Sequence, residues 1–395
     1  MYIYADNAAT TKTSQAAIDA MVDIMNNVYG NPSSLHTVGQ KAKEALEKAR
    51  VEAAQCLGAD FKEIYFTSGG SEADNQAIIS AAKFGARKNK KHIISTKIEH
   101  HAVLHTLNKL EKEGFEVTLL DIDESGIVKP EDVEKAIRED TALVTIMYAN
   151  NEIGTMEPIK EIGAIAKKHD ILFHTDAVQA FGHVPIDVQE MNIDMLSASG
   201  HKFHGPKGIG FMYLRNGVKI GPLIHGGAQE RSRRAGTHNV PGIVGMGAAT
   251  ALAVQNMEEN AKKQIEVRDY LISRIEKEIP YVKVNGHREK RLPNNVNVCF
   301  RFIEGESLLI MLDQKGICAS SGSACTSGSL DPSHVLLAIG LPHEIAHGSL
   351  RLTLSEETTK EDADYVVDNL KMIVERLRSM SPLYDDFVKK ESEGK

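Results

Sequence analysis

Residues 142–176 read ALVTIMY, ANNEIGTME, PIKEIGAIAKKHD and ILFHTD in succession. The first and last runs are short, apolar and rich in β-branched residues, which favours buried strands. The third run carries apolar residues at helical spacing, which favours an amphipathic helix. A strand, a crossover helix and a second strand form a βαβ unit, so this stretch predicts a parallel sheet.

The same alternation of strand-like and helix-like runs extends from Lys62 to Leu214. It predicts an α/β fold whose large domain contains a mostly parallel, seven-stranded sheet wrapped by helices. The predicted strands cover residues 63–67, 92–96, 116–122, 142–148, 171–176, 194–199 and 208–214.

From about Val240 the pattern changes to a long helical stretch that runs through Lys277. Short strands near Val282 and over 296–302 follow it, and this mixture predicts a second, smaller α+β domain. Further helices are predicted over 306–315 and 359–380. The two predicted domains comprise residues 16–255 for the large one, and residues 1–15 with 256–395 for the small one.

Composition narrows the classes of protein to which the chain can belong. Its 395 residues, 42% hydrophobic and 25% charged, are typical of a globular chain with more than one core. A net charge of −8 does not favour binding to nucleic acid, which is a polyanion. No apolar run approaches the ~18 residues of a membrane span. The opening MYIYADNAATTKTS lacks the basic and apolar regions of a signal peptide. We therefore expect a cytoplasmic protein without a nucleic-acid or membrane partner.

A polar loop over Phe66–Glu72 follows a predicted strand and opens a predicted helix. Free backbone amides, hydroxyl groups and the positive end of the helix dipole favour an anion there, so the loop is a candidate phosphate site. The alternative is an ordinary turn in which Ser71 caps the helix, because the loop matches neither of the familiar glycine-rich phosphate motifs.

Lys202 lies between small residues in the run Ser197–Gly208, directly after a predicted strand. Backbone can approach a bound ring closely there, so Lys202 is a candidate for a Schiff base with a cofactor. Asp176 ends the strand 26 residues earlier, where a carboxylate can hold a pyridinium proton. Phosphate loop, lysine and acidic partner are what pyridoxal phosphate (PLP) requires, although such a lysine is often only a solvated turn residue.

The chain has four cysteines, Cys56, Cys299, Cys318 and Cys325, too few and too scattered for a disulfide framework. The first three lie in apolar settings and are predicted to be core residues. Cys325 lies in the glycine- and serine-rich run Ala319–Ser329, which predicts a loop with an exposed thiol that is available for chemistry. The alternative is a linker in which Cys325 is incidental.

Arg351 lies in an alternating strand pattern, where its guanidinium can bind a substrate carboxylate bidentately. The alternative is a strand charge that faces water. Upstream, the basic run Glu230–Thr237 could serve a phosphate or a carboxylate, although a charge run of this kind is usually a solvated face, and only Thr237 is retained from it as a candidate site residue.

The segment His343–His347 is a formal match to the HExxH motif of zinc peptidases. Pro342 and Gly348 confine any helix there to about one and a half turns, too short to present the histidine pair in the usual way. His101 and His105 are also four residues apart, but no third ligand is apparent nearby. We therefore predict no intrinsic metal site.

Eight motifs in order along the chain resemble those of the NifS/IscS-type cysteine desulfurases, class-V aminotransferase enzymes that use PLP and have the aspartate-aminotransferase fold. The similarity runs from Asp6 to Arg351, and the spellings FHTDAVQA, RRAGTHN and CTSGSLDPSHV are closer to NifS than to IscS. In one departure, Gly70-Ser71-Glu72 replaces the usual Ala-Thr-Glu. The motifs are Tyr4–Thr11, Gly30–Ser34, Thr67–Asn75, Glu99–His100, Asn150–Gly154, Asp176–Gln179, Ser199–Lys202 and Ser320–Ser329.

The resemblance implies a role for each matching residue. Lys202 would carry the cofactor, Asp176 would contact its pyridine nitrogen, and His100 would stack on the ring and move protons. Arg351 and Asn151 would bind the substrate. The residues implied to bind the cofactor are Ser71, Glu72, His100, Asn151, Asp176, Gln179, Ser199, His201, Lys202 and, from the partner in a homodimer, Thr237.

The resemblance also implies the reaction, which is PLP-dependent removal of sulfur from L-cysteine to give L-alanine and a persulfide on Cys325. An iron–sulfur scaffold protein would accept the sulfur, for nitrogen fixation or for general iron–sulfur cluster assembly, and Cys325 would contact a cluster only transiently through its persulfide. The alternatives are a selenocysteine lyase or other aminotransferase-like PLP enzyme, a zinc peptidase, and a non-catalytic scaffold for sulfur carriers.

Overall fold

The computed structural model of the chain describes residues 2–321 and 332–393. The strands are β1 (Ile3–Tyr4), β2 (Ile64–Thr67), β3 (His92–Thr96), β4 (Glu116–Leu120), β5 (Thr141–Thr145), β6 (Leu172–Asp176), β7 (Met195–Ser199), β8 (Gly210–Leu214), β9 (Val282–Val284), β10 (Asn295–Phe300), β11 (Ile317–Cys318) and β12 (Ser349–Thr353).

The α-helices of the same residues are α1 (Gln15–Asn27), α2 (Thr37–Gln55), α3 (Gly70–Ala86), α4 (His101–Lys112), α5 (Pro130–Ala136), α6 (Ile159–Lys168), α7 (Gln229–Ser232), α8 (Val240–Glu278), α9 (Gly305–Asp313), α10 (His334–Ala338), α11 (His343–Ala346), α12 (Lys360–Arg378) and α13 (Pro382–Glu393). Within the described part of the chain, none of these helices is both long and apolar enough to cross a membrane.

The central sheet has seven strands in the order β2-β8-β7-β6-β5-β3-β4. Strand β8 runs antiparallel to β2 and β7, and the remaining pairs of this sheet are parallel. The predicted α/β fold with a mostly parallel seven-stranded sheet is therefore confirmed, and each predicted strand overlaps an observed one.

Both faces of this sheet are covered, which explains why its strands are apolar along their whole length. Successive side chains of a strand point to opposite faces. In β2, Ile64 and Phe66 join the core formed with α1, α2 and α6, whereas Tyr65 between them joins the core formed with α3 and α4.

Polar residues gather at one edge of the central sheet. Because β8 is antiparallel to both β2 and β7, the strands β2, β5, β6 and β7 all end at the same edge. Thr67, Asp176 and Ser199 are the last residues of β2, β6 and β7. The topology therefore brings these candidate residues together at the edge of the sheet where ligands bind in open α/β folds.

A second sheet is antiparallel, in the order β12-β10-β9. Its core includes Leu271 of α8, Val298 of β10, Leu350 of β12 and Val367 of α12. Helix α8 is continuous across the predicted domain limit at residue 255: its first part packs on the first core and its later part on the second. The domain limits themselves stay a prediction.

Some contacts involve elements that the sequence did not predict. The short strands β1 and β11 pair in parallel, with Ile3 opposite Ile317 and Tyr4 opposite Cys318, so the first residues lie beside the strand that leads to Ser321. A further helix, α13, follows the last predicted one.

Candidate active site

A cavity of about 380 Å³ opens at the carboxyl edge of the central sheet. It brings together residues from β6, β7, α3, the start of α4 and β12, which are far apart in the sequence. Glu72 and Thr237 do not line it, and Cys325 lies outside the described residues. The predicted site residues that line it are Ser71, His100, Asn151, Asp176, Gln179, Ser199, His201, Lys202 and Arg351.

Lys202 ends a 3₁₀ turn that directly follows β7. Its Nζ donates hydrogen bonds to the backbone oxygens of Ala8, at 2.5 Å, and Ala9, at 2.9 Å. The backbone oxygen of Lys202 is paired with Nε2 of His183 at 2.9 Å. The N-terminal motif therefore helps to hold the amino group in the cavity through two backbone carbonyls.

Asp176 is buried at the end of β6, and its Oδ1 accepts the amide of Val178 at 2.9 Å. Burial raises the pKa of Asp176 to about 6, while the Val178 amide and the charge of Lys202 act in the opposite direction. A buried carboxylate with a second oxygen free of Val178 can accept a hydrogen bond from a cationic ring nitrogen.

His100 is the N-cap of α4, and its Nδ1 accepts the amide of Ala102 at 3.1 Å. Burial, followed by the charge of Lys202, lowers the pKa of His100 to about 4. The imidazole is therefore neutral at pH 7 with Nδ1 engaged as an acceptor, so its proton sits on Nε2. A neutral histidine beside an ammonium group can exchange protons in this cavity.

The start of α3 provides the anion-binding end of the site. Ser71 lies in the first turn of this 17-residue helix, and Ser199 and His201 face it across a neighbouring cleft. Gly69, not Ser71, occupies the N-cap position, so the alternative of Ser71 as a helix cap is wrong. At Gly70, a Cβ atom would lie 2.5 Å from Cγ2 of Val178, which explains the glycine found here.

Glu72 is directed away from the cavity. Its carboxylate accepts the amide of Ser68 at 2.9 Å and pairs with Nε of Arg234 at 2.9 Å. It supports the loop before α3 and lines the neighbouring cleft rather than the cavity.

Arg351 is 3% exposed in β12, so the alternative of a strand charge facing water is wrong. Its Nη2 pairs with Oδ1 of Asp6 at 3.0 Å, and its Nη1 donates to the backbone oxygen of Asn151 at 3.0 Å. Its buried Nε has no hydrogen-bond partner among the described residues. An unmatched buried donor is costly, so this N–H favours an acceptor supplied by a ligand.

Gln179 and the N-terminal motif support the same cavity from another side. The amide Nε2 of Gln179 donates to the backbone oxygen of Ala8 at 3.0 Å, the same oxygen that holds Lys202. Nδ1 of His201 is 3.1 Å from Oγ1 of Thr10. The motif Tyr4–Thr11 was recognisable in the sequence, but only the folded chain reveals its carbonyl groups as partners.

Two contacts that the sequence did not predict anchor Ser333 and His334 to the region of the cavity. Ser333 donates to the buried carboxyl of Glu152, and burial raises the pKa of Glu152 to about 7. Nε2 of His334 is 3.0 Å from the backbone oxygen of Glu99, next to His100. No pattern in the sequence links these residues, because the contacts span more than 180 positions.

The expectation of a solvated face over Glu230–Thr237 is wrong for its first part. Glu230 is buried and pairs with both Nη atoms of Arg50, at 2.7 and 2.8 Å. It also accepts the amide of Phe66 at 2.9 Å. Thr237 itself is exposed and lies outside the cavity of its own chain.

The described cysteines differ from the core prediction. Cys299 is fully buried as predicted, but Cys56 and Cys318 are only partly buried. Cys318 misses the core because β11 lies beside β1, where its Sγ is 3.3 Å from the hydroxyl of Tyr2. Burial raises the pKa of Cys56 to about 12 and that of Cys299 to about 11, so both are poor nucleophiles at neutral pH.

The HExxH segment forms only the one-turn helix α11, as its flanking residues predicted. Across residues 2–321 and 332–393, no three His, Cys, Asp or Glu side chains are grouped so as to hold a metal ion. His101 and His105 stack on each other with ring centroids 5.0 Å apart.

The sequence profile of the class-V aminotransferases matches residues 3–366. A cysteine desulfurase IscS from Methanosarcina thermophila is 58% identical over 96% of this chain and 94% of its own length. Another from Clostridium botulinum strain Hall is 56% identical over 99% of both chains.

Solved structures give the same result. A NifS-like protein superposes with a TM-score of 0.90 at 40% identity, covering 95% of this chain and all of its own. A structure described as SspA in complex with cysteine has a TM-score of 0.78 at 40% identity, covering 90% of this chain and all of its own. The chain belongs to the class-V aminotransferase family and, within it, to the cysteine desulfurases.

Proposed function

We propose that this protein is a PLP-dependent cysteine desulfurase that converts L-cysteine to L-alanine and a persulfide on Cys325. The observation that carries the proposal is one cavity that holds Lys202, Asp176 and His100 together with the unmatched Nε of Arg351. These groups fit an amino-acid substrate and a pyridine cofactor at the same time.

The residues of the cavity fit PLP. Asp176 ends β6 as a buried carboxylate for a ring nitrogen, and the amino group of Lys202 lies in the same cavity beside the carbonyls of Ala8 and Ala9. Ser71, Ser199 and His201 surround the start of α3, where backbone amides favour a phosphate. When bound, PLP supplies an electron sink for the carbon atoms of an amino acid.

Arg351 binds the substrate carboxylate through Nε and orients the amino acid in the cavity. Its Nη atoms stay on Asp6 and Asn151, so the guanidinium plane is fixed before substrate arrives. Fixing the plane in advance reduces the entropy lost on binding. The solved structure described as SspA in complex with cysteine supports this substrate class.

His100 accepts and returns protons during the reaction. Because burial and the charge of Lys202 lower its pKa to about 4, it is neutral before turnover and can take a proton at neutral pH. Lys202 is the second proton carrier, and the carbonyls of Ala8 and Ala9 guide its amino group.

Cys325 receives the sulfur. Its thiolate attacks the sulfur of L-cysteine, an S–S bond forms, and the Cβ–S bond breaks with its electron pair passing to the carbon skeleton, which takes up a proton and leaves as L-alanine. Cys56 and Cys299 are unsuited to this step because burial raises the pKa of each thiol.

We also propose a cytoplasmic homodimer in which Thr237 of one subunit reaches the phosphate end of the partner's cavity. Exposure of Thr237, outside its own cavity, supports this arrangement. The sulfur acceptor is an iron–sulfur scaffold protein, consistent with the family to which the chain belongs.

Replacement of Cys325 tests the proposal. Cys325→Ala is expected to keep the bound cofactor and the spectral change on adding L-cysteine, but to release neither alanine nor sulfide, because the acceptor thiol is gone. Mass spectrometry of wild-type protein treated with L-cysteine is expected to find the persulfide on the peptide that contains Cys325.

Cys318→Ala is the matched control, since its thiol is only partly buried and it lies seven residues before Cys325 in the sequence. It should retain desulfuration. Normal alanine release by Cys325→Ala would contradict the proposed acceptor and favour a lyase that expels sulfur directly. A protein that takes up no PLP would overturn the proposal as a whole.

A further inference from the structure

A row of hydrogen-bonded side chains runs from the central sheet to helix α3 at the wall of the cavity. Oγ1 of Thr145 is 2.8 Å from Nδ1 of His174, and Nε2 of His174 is 3.0 Å from Oγ of Ser197. Ser197 hydrogen-bonds in turn to the carboxyl of Asp74, whose Oδ1 is 3.7 Å from Nε2 of His174. All four residues are at most 1% exposed.

The strand register creates this row. His174 and Asp176 are two residues apart in β6, so both point to the same face of the sheet. Thr145 of β5 is paired with His174, and Ser197 of β7 is paired with Asp176. Asp74 lies on α3, which covers this face, and it lines the cavity together with Asp176.

The hydrogen bonds of this row can be arranged in a consistent direction that ends on Asp74. Burial lowers the pKa of His174 to about 3, so its ring is neutral and carries a single N–H. If Thr145 donates to Nδ1, then Nε2 donates to Ser197 and Ser197 donates to Asp74. Asp74 thus accepts one hydrogen bond, and its Oδ1 has no hydrogen-bond partner among the described residues.

The charged form of Asp74 is energetically unfavourable in this position. One of its oxygens is buried without a donor, and desolvation of an unpaired charge is costly. The titratable groups that face Asp74 are Asp176 and His174 on β6, Glu99 before α4, and His100 and Lys202 across the cavity. Burial raises the pKa of Asp74 well above its usual range, and Asp176 and Glu99 raise it further.

We propose that Asp74 is a positioning residue of this active site that stays un-ionised at neutral pH, so that Asp176 alone carries the negative charge facing the cofactor nitrogen. The part that concerns the cofactor rests on the proposed function. Two adjacent buried carboxylates do not both ionise readily, and a charged Asp74 would draw a proton onto Asp176. A neutral Asp74 therefore keeps Asp176 available as the partner of a cationic ring.

Infrared spectroscopy of the purified full chain at pH 7 tests the ionisation state directly. Buried carboxyls such as Glu99 also contribute to the carbonyl-stretch region at this pH, so the wild-type minus Asp74→Asn difference spectrum is expected to show the loss of one carboxylic-acid carbonyl band and no loss of carboxylate signal. Asp132→Asn is the matched control, because Asp132 is an exposed carboxylate paired with Lys135, and its loss should remove only carboxylate signal. Loss of a carboxylate band in Asp74→Asn would overturn the proposal.

The positioning role has its own measurement in the protein loaded with PLP. Asp74→Asn keeps a neutral acceptor for Ser197, so the midpoint of the pH titration of the visible band should equal that of wild type. Asp74→Ala removes the acceptor and should weaken PLP binding about tenfold, as the loss of one buried hydrogen bond does. A displaced midpoint in Asp74→Asn, or unchanged PLP affinity in Asp74→Ala, would overturn the positioning role.

The two measurements separate the possible failures. The infrared experiment needs no substrate and no turnover, so its outcome does not depend on whether the protein desulfurates cysteine. If Asp74→Ala does not fold, Asp74→Asn still decides the ionisation state and the titration midpoint.

Discussion

Arg351 is a buried cation that is satisfied only in part. Asp6 and the backbone of Asn151 engage its two Nη atoms, and Nε is left for a ligand. A guanidinium is suited to this position because its planar fork offers several donors at fixed angles, which a lysine ammonium does not. Arg351 therefore forms a structural ion pair through Nη2 and offers Nε for a contact with a ligand.

Arg351→Lys is expected to weaken binding of L-cysteine about 10- to 100-fold, because it keeps the charge but loses the Nε donor to a carboxylate. Titration of the visible spectrum with L-cysteine measures this affinity. Arg288→Lys, which alters an exposed pair with Glu276, is the control and should leave the affinity unchanged. Equal affinities for wild type and Arg351→Lys would contradict the role of Nε.

Glu99 is a buried carboxyl next to His100, and it gives a prediction about pH. Its Oε1 accepts from Thr96 at 2.7 Å and from the amide of Met147 at 3.0 Å, whereas Oε2 has no partner among the described residues. Burial raises the pKa of Glu99 to about 8. Between the unfolded pKa, about 4.3, and this value, the folded state binds more protons than the unfolded state, so stability falls as pH rises.

Glu99→Gln should remove this loss, since glutamine keeps the acceptor for Thr96 but does not ionise. The free energy of unfolding of the variant relative to wild type is expected to increase from pH 5 to pH 8 by up to several kcal/mol. Urea unfolding at both pH values measures it, with the exposed Glu113→Gln as control. A difference that stays constant with pH would contradict the prediction.

At the scale of elements, the buried carboxylate of Glu230 joins three parts of the fold. It pairs with Arg50 of α2, accepts the amide of Phe66 in β2, and is 2.8 Å from Nε2 of His238. The turn that carries it is strained, because residues 230–232 all have positive φ. These contacts hold β2, and so the loop that leads to α3, against the turn.

Glu230→Gln is expected to destabilise the protein by about 3–5 kcal/mol, because it removes the buried charged partner of Arg50 and leaves its guanidinium only the partly exposed Glu47. Glu47→Gln is a matched control at the same arginine: Glu47 pairs with Nε of Arg50 from a 37% exposed position, and its loss should cost at most about 1 kcal/mol. Chemical unfolding of both variants measures the difference. Equal losses would show that burial does not set the strength of this pair.

At the scale of the whole molecule, the proposed homodimer has a consequence for cofactor binding. If Thr237 completes the phosphate end of the partner's cavity, dilution to monomers should release PLP and abolish turnover together. Analytical ultracentrifugation and the visible spectrum over the same dilution series measure both. Thr237→Ala should weaken PLP binding without changing the sedimentation of the concentrated protein. A monomer with full turnover would exclude the shared site.

Hydrophobic periodicity and local motifs were sufficient to predict most elements of the central sheet and its helices. The seven strands of the central sheet and the long helix α8 were predictable because apolar spacing directly reflects strand and helix geometry. The strands β1 and β11 were not predictable, because each has only two residues and forms a strand by pairing with the other. Helix α13 was missed for a similar reason, since Tyr384 and Phe387 pack on the aromatic ring of Tyr281 far earlier in the chain.

The features of the candidate site also fall into two groups, those that the sequence predicts and those that only the folded chain reveals. The sequence by itself determined the α/β class and the Lys202 and Asp176 pair at the sheet edge, because these depend on residue type and local order. For the same reason it predicts a reactive thiol at Cys325, and that stays a prediction. Only the tertiary structure decided that Arg351 is buried with a spare donor, that Glu230 is the centre of a buried ion pair, and that Asp74 lines the same cavity as Asp176. Burial and hydrogen-bond partners depend on residues that are distant in sequence, and they set the charge state of each group.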